Sequence, residues 1–329
     1  MGRNTLNRTV EFYRAELVDS TGNPYNKYFI LEEFIKEFFI EYSLQSMKNG
    51  YTVNSEKKCW VDLVNENTID NFDCIEVKLT YSKFNKKVKV IKVGDRSIVG
   101  GKDLDEGDEE KQHFVIKFFP NSNCALIIFE KILDSVSVTF IKRTLNTYLK
   151  NIFIKSDSYK DKIKYRDIKL NIDPIISGKF LESIGNLKGT KLLKAIVTKE
   201  SIDEDIRFSG NHARSESDLI VKADKGFLIP NTDVETYCKK FLTNGIIKSN
   251  KIIRIVIDGV NELNNPVKLD TEGMKFSEKV RVNLDSDRAV DTDDIFDKFN
   301  NLIISKDDEL KKFFDATLNE VALDLNEQE

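Results

Sequence analysis

Asp62, Glu76 and Lys78 are the residues whose types and spacing best suit chemistry. In the run Cys74-Ile75-Glu76-Val77-Lys78-Leu79 the acid and the base stand two apart on an expected strand, so both emerge on one face. Asp62 falls on the expected strand before it, and Glu41 on a helix before that. A plainer reading fits the same residues: Ile75, Val77, Leu79 and Tyr81 form an inward face, which leaves Glu76, Lys78 and Thr80 for solvent. Only two histidines, His113 and His212, are present, and neither has a partner at ligand spacing. His113, after an acidic stretch, is expected at the surface or on a sheet edge; His212 lies in a Gly-, Arg- and acid-bearing connection. The motifs G-x-S-x-G, G-x-x-x-x-G-K-[ST] and G-x-G-x-x-G do not occur, so the parts for a serine elbow, a phosphate loop or a dinucleotide turn are missing.

A second constellation is basic. Lys142, Arg143, Lys150, Lys155, Lys160 and Lys162 run along the middle of the chain, with Tyr148, Phe153, Tyr159 and Tyr165 interleaved. Cations neutralise phosphates and aromatic faces stack on bases, so this segment is the expected nucleic-acid contact. Lys86, Lys87, Lys89 and Lys92 supply a second stripe from a strand. Asp157, Asp161 and Asp167 dilute the first, which reads equally as a solvated helix face followed by a charged linker. Asp285, Asp287, Asp291, Asp293 and Asp294 fail as a calcium loop, because Val290 and Phe296 stand where that loop needs Gly and Glu. Turn formation and helix capping account for them better.

Composition bounds the rest. At 329 residues, with 40% hydrophobic and 10% aromatic content, the chain has material for about two cores. A net charge of -4 excludes a polybasic protein while permitting local cationic patches. Cys59, Cys74, Cys124 and Cys238 are scattered and form no C-x-x-C, so reduced core thiols in a cytosolic protein are expected. The polar N-terminus has no apolar signal region, and no apolar run reaches the roughly 20 residues that span a bilayer. The expectation is a cytoplasmic protein without membrane insertion.

Strand signals come in neighbouring pairs joined by short turns: 10–18, 59–64 with 74–81, 114–119 with 125–130, 191–199 with 217–221, and 252–260 with 267–270. Residues 65–73 read as a connection, and residues 100–111 as an acidic loop. Helical spacing marks 31–42 and 138–154; a T-x-x-E box at Thr232 opens a third helix, and Asp291 and Ser305 are N-cap candidates for two closing helices. Paired strands without regular helix alternation predict an α+β fold: two domains with mainly antiparallel or mixed sheets flanked by helices. The charged stretch after Lys155 sets the expected division at 1–155 and 168–329, the second domain ending in two helices.

Two resemblances bear on function. The order of Asp62, Glu76 and Lys78 is similar to the nuclease core of the PD-(D/E)xK type, which implies Mg²⁺ held by the carboxylates and a lysine positioning the attacking water. Outside that reading no cofactor or metal is expected. In the C-terminal part, Glu216 to Phe227 (ESDLIVKADKGF), the hairpin IIRIVIDGVNELNNPVKLD and the run EKVRVNLDSDRAVDTDDIFDKF resemble segments of Kiwa-type, KwaB-like bacterial proteins found among phage-defence genes. That resemblance implies a cytosolic antiviral defence role through contacts with DNA or a partner protein, and assigns no catalytic residue. The expected activity is binding of nucleic acid, a partner protein or a second copy; a metal-dependent nuclease and a non-catalytic structural or regulatory subunit are the alternatives.

Overall fold

A computed structural model describes residues 5–19, 23–25, 30–84, 87–94, 97–155, 168–176, 178–198, 216–244, 246–247, 250–271, 275–307, 310 and 314. The fold is α+β, with large antiparallel sheets flanked by helices. Two units emerge, and their division differs from the expected one. Met1–Ser20, Pro24–Asp173 and Glu278–Glu329 form the first unit, while Thr21–Asn23 and Pro174–Ser277 form the second. The described residues from Glu278 onward therefore belong with the N-terminal sheet, not with the C-terminal half.

The first unit is built on strands β1 (Thr5–Val18), β2 (Tyr51–Asn54), β3 (Lys57–Ile69), β4 (Phe72–Lys83), β7 (Asp108–Phe118), β8 (Cys124–Lys131) and β15 (Ser277–Asn283), in the order β15-β1-β8-β7-β4-β3-β2. β9 (Lys169–Pro174) also pairs with β1. Residues 65–73, expected as a connection, instead extend β3 and β4 to a two-residue turn. Asp70 and Asn71 sit there at φ 51° and 65°, the left-handed pair that a tight hairpin requires. Asp and Asn tolerate that region, so the signal was present in the sequence but was outweighed by the polarity of 65–68.

One sheet face carries Ile75, Val77, Tyr81, Phe114, Ile116, Ile127 and Phe129. Helices α1 (Leu31–Asn49) and α2 (Val138–Lys155) cover it with Phe34, Ile35, Phe38, Leu145 and Leu149. The opposite face, expected to meet solvent, is buried as well. α5 (Thr292–Ser305), N-capped by Asp291 through the backbone N–H groups of Asp293 and Asp294, brings Ile295, Phe296, Phe299 and Ile303 into burial. Phe296 meets the ring of His113 edge-on at 5.5 Å, and Asn300 donates to Glu76. Leu310 and Phe314 are buried too, Phe314 against Phe119 at 4.6 Å between ring centroids.

The second unit has a sheet ordered β11-β10-β13-β12, from β10 (Gly189–Thr198), β11 (Glu216–Lys222), β12 (Ile246–Ile247) and β13 (Asn250–Val260), with β14 (Pro266–Asp270) on β13. Helices α3 (Gly178–Gly185) and α4 (Asn231–Asn244) pack Phe180, Ile184, Val234 and Cys238 onto Leu193, Ile255, Ile257 and Leu269. Thr232, expected to cap α4, is its second residue, a shift within the usual uncertainty of helix ends.

All four cysteines are free and buried. Burial pushes the thiols of Cys59, Cys74 and Cys238 up to about 12 and that of Cys124 up to about 11, from a usual value of 9.0. Acids held neutral in the fold stabilise it fully below the unfolded value, and that stability is lost as pH rises from about 9 towards 12. Iodoacetamide at pH 8 should leave all four unmodified in the native protein and label all four in urea. A cysteine reacting in the native protein at the rate of a free thiol would contradict this packing.

Candidate nucleic-acid interface

Asp62 occupies a β-bulge: Val61 pairs with Leu79 and Leu63 with Lys78, so Asp62 is the extra residue. The bulge turns its carboxylate towards the face of Lys78 and Thr80. Lys78 Nζ lies 3.7 Å from Asp62 Oδ2, which also accepts from the Thr80 hydroxyl. Glu76 is on this face but is spent elsewhere. It is buried, and its Oε1 accepts from Asn300 Nδ2 at 3.0 Å and from Asn67 Nδ2 at 3.3 Å. The burial of Glu76, beneath α5, and of Thr80 corrects the expectation that they face water. The three residues share a face, yet Asp62 is engaged by Lys78 and Thr80, and Glu76 by two amides. Among the described residues, no three His, Cys, Asp or Glu side chains gather as a metal would require.

His113, expected at the surface, is fully buried. Glu130 Oε2 accepts from its backbone N–H at 3.0 Å and lies 2.9 Å from Nδ1. A carboxylate accepts, so Nδ1 is the donor in that contact, and Nε2 stands 3.2 Å from the Thr292 hydroxyl. Arg8 Nε stands 3.0 Å from Glu130 Oε1, in ion-pair rather than hydrogen-bond geometry. No local pattern marks this network, because its members are far apart in the chain. His212 lies outside the described residues.

The basic helix is only partly described. Lys142 donates to Asn171 at 3.2 Å and lies 3.9 Å from Asp173, so its charge is compensated. Arg143, Thr147 and Lys150 form an exposed stripe at helical spacing. The side chain of Lys155, and Lys160 and Lys162 altogether, lie outside the described residues.

The stronger cationic element is one that a strand pattern alone only half revealed. Lys83 and Asp108 are register partners of β4 and β7, so the chain between them leaves the sheet and returns. This excursion folds as a two-stranded ribbon, β5 (Val88–Ile91) against β6 (Ile98–Lys102), in a sheet of its own. Residues 100–111, expected as a loop, thus contribute to β6 and to β7. Between Lys86 and Lys102 stand six cations and one acid, in a chain whose net charge is -4. Val88, Val90, Val93, Ile98 and Val99 are exposed, Val93 at 96%. A two-stranded ribbon gains little stability by itself, so the exposure of these aliphatic residues is unexplained by packing among the described residues. At its root Lys87 lies 3.6 Å from Asp103. Gly107 packs there so closely that a Cβ would meet the Lys83 carbonyl oxygen at 2.4 Å.

No protein-family model matches this chain, and no curated protein does. The ribbon, the exposed stripe of α2 and the buried polar face must be read on their own chemistry. No described helix is long and apolar enough to cross a membrane.

Proposed function

We propose that the protein works by binding nucleic acid, with the β5–β6 ribbon as its principal contact. The observation that carries this reading is the composition of the ribbon: six cations against one acid between Lys86 and Lys102, in a two-stranded sheet separate from the large one, with Lys87 and Lys102 paired to Asp103 and Asp108 at its root. Lysines on exposed strands meet phosphates without ordering cost to a core, and each releases counterions on contact. Arg143 and Lys150 on α2 offer further phosphate contacts. The Kiwa-type resemblance of the C-terminal segments sets this binding in antiviral defence in the cytoplasm; a partner protein or second copy would then act alongside the nucleic acid.

The test is a salt titration of binding to a fluorescent duplex by wild type and by Lys87→Ala/Lys89→Ala/Lys92→Ala. The triple variant should lose roughly 3 from the slope of log affinity against log salt, at about 0.9 per phosphate contact, and bind weakly at low salt. Its melting temperature should not move, because these lysines are exposed. Unchanged affinity and slope would overturn the reading.

A further inference from the structure

Within the nucleic-acid reading, on which this inference rests, the ribbon also specifies what kind of nucleic acid and how it is engaged. We infer that the ribbon enters the minor groove of duplex DNA and wedges its aliphatic tip, Val93, Ile98 and Val99, between base steps, bending the duplex.

Three observations carry this. First, residues 86–102 contain no Phe, Tyr, Trp or His. Single strands are gripped by stacking bases on aromatic rings, and this element has none to offer. Second, the strands offer base edges no Asn, Gln, Asp or Glu, and of their residues only Lys can reach one, so base-edge readout has few parts here. Sequence-tolerant binding by backbone charge and DNA deformation is what remains. Third, Val93, Ile98 and Val99 are 96%, 62% and 60% exposed, clustered about the turn that Lys92 N–H closes onto the Ser97 carbonyl at 2.8 Å. Aliphatic side chains of this kind act as wedges in the minor groove, where unstacking a step bends the helix and draws more cations onto the flanking phosphates.

The glycines complete the shape. Gly101 pairs with Lys89 and Gly100 with Val90, so β6 presents no side chain over this stretch. A Cβ at Gly100 would meet nothing within 4 Å, so no neighbour in the protein demands glycine there. Glycine in a strand without such a demand suits close approach by another surface, here the walls of a narrow groove.

The experiment uses the full chain with a duplex carrying a fluorophore pair at its ends, and the matching single strand. Wild type should prefer duplex, raise energy transfer by bending it, and be displaced by netropsin, which fills the minor groove. Val93→Ser/Ile98→Ser/Val99→Ser should abolish bending and lower affinity about tenfold while keeping the salt slope, because the lysines remain. Gly100→Leu, whose Cβ would meet nothing within 4 Å in the free protein, should weaken duplex binding without changing the melting temperature. Binding that is equally tight to single strand, or indifferent to netropsin, overturns the wedge. So does bending by the triple serine variant equal to wild type, or duplex affinity unchanged in Gly100→Leu. Absence of binding by wild type to any nucleic acid would instead overturn the nucleic-acid reading itself.

Discussion

Asp307→Ala should lower the melting temperature of the first unit by roughly 6–20 °C. Lys117 is 2% exposed, at the C-terminal end of β7, and its ammonium lies 2.9 Å from Asp307 Oδ1 and 3.7 Å above the ring of Phe72. Removing the acid leaves a buried cation with a ring but no anion. Breaking such a pair from one side costs about 3–5 kcal/mol, and in a unit of this size each kcal/mol moves the midpoint by roughly 2–4 °C. Lys117→Met should cost less, since the remaining Asp307 is 15% exposed and can turn towards water. Truncation after Lys306 should be worse than either, because it also removes Leu310 and Phe314, both buried. Thermal melts by circular dichroism rank the three. A truncated protein that melts like wild type would show that the closing segment covers nothing of consequence.

Glu130→Ala should have a comparable effect by a different route. Its carboxylate is completely buried and holds the His113 backbone N–H, His113 Nδ1 and the Arg8 guanidinium at once. Alanine leaves two buried donors without an acceptor and Arg8 without its anion, a loss of about 3–5 kcal/mol. Glutamine keeps an acceptor for the two His113 donors but turns an amide N–H₂ towards Arg8, so Glu130→Gln should fall between wild type and alanine. Thr292→Val should cost only about 1 kcal/mol, since it removes one hydrogen bond to Nε2 from a half-buried hydroxyl. If Glu130→Ala and Thr292→Val melt together, the network does not anchor α5 as the geometry indicates.

Neither prediction could be written from the sequence. Lys117 and Asp307, or Glu130 and Arg8, are distant in the chain, and nothing in their local patterns marks them as partners. Glu76 shows the same limit most clearly. Its alternation with Ile75 and Val77 places it on the second sheet face, and that placement is right. The expected solvent on that face is wrong, because α5 returns from the far end of the chain to cover it. Burial converts the expected nuclease carboxylate into an acceptor for Asn67 and Asn300.

Local chemistry did determine a great deal. The alternation of 74–81 and 114–119, the Pro120–Asn123 turn, the Asp291 cap and the apolar stripe of α1 each depend on residues a few positions apart, and each predicts its element. The α+β class follows from them. The alternating lysines and valines after Lys86 are likewise legible as a strand, but only the tertiary structure shows that Val88 and Val90 are exposed. Whether an apolar face is core or surface depends on what the rest of the chain brings to it, and that is decided by contacts between residues that no local period connects. The same holds for the division into units: the charged stretch after Lys155 suggested a boundary, whereas the return of β15 and α5 to the first sheet set it.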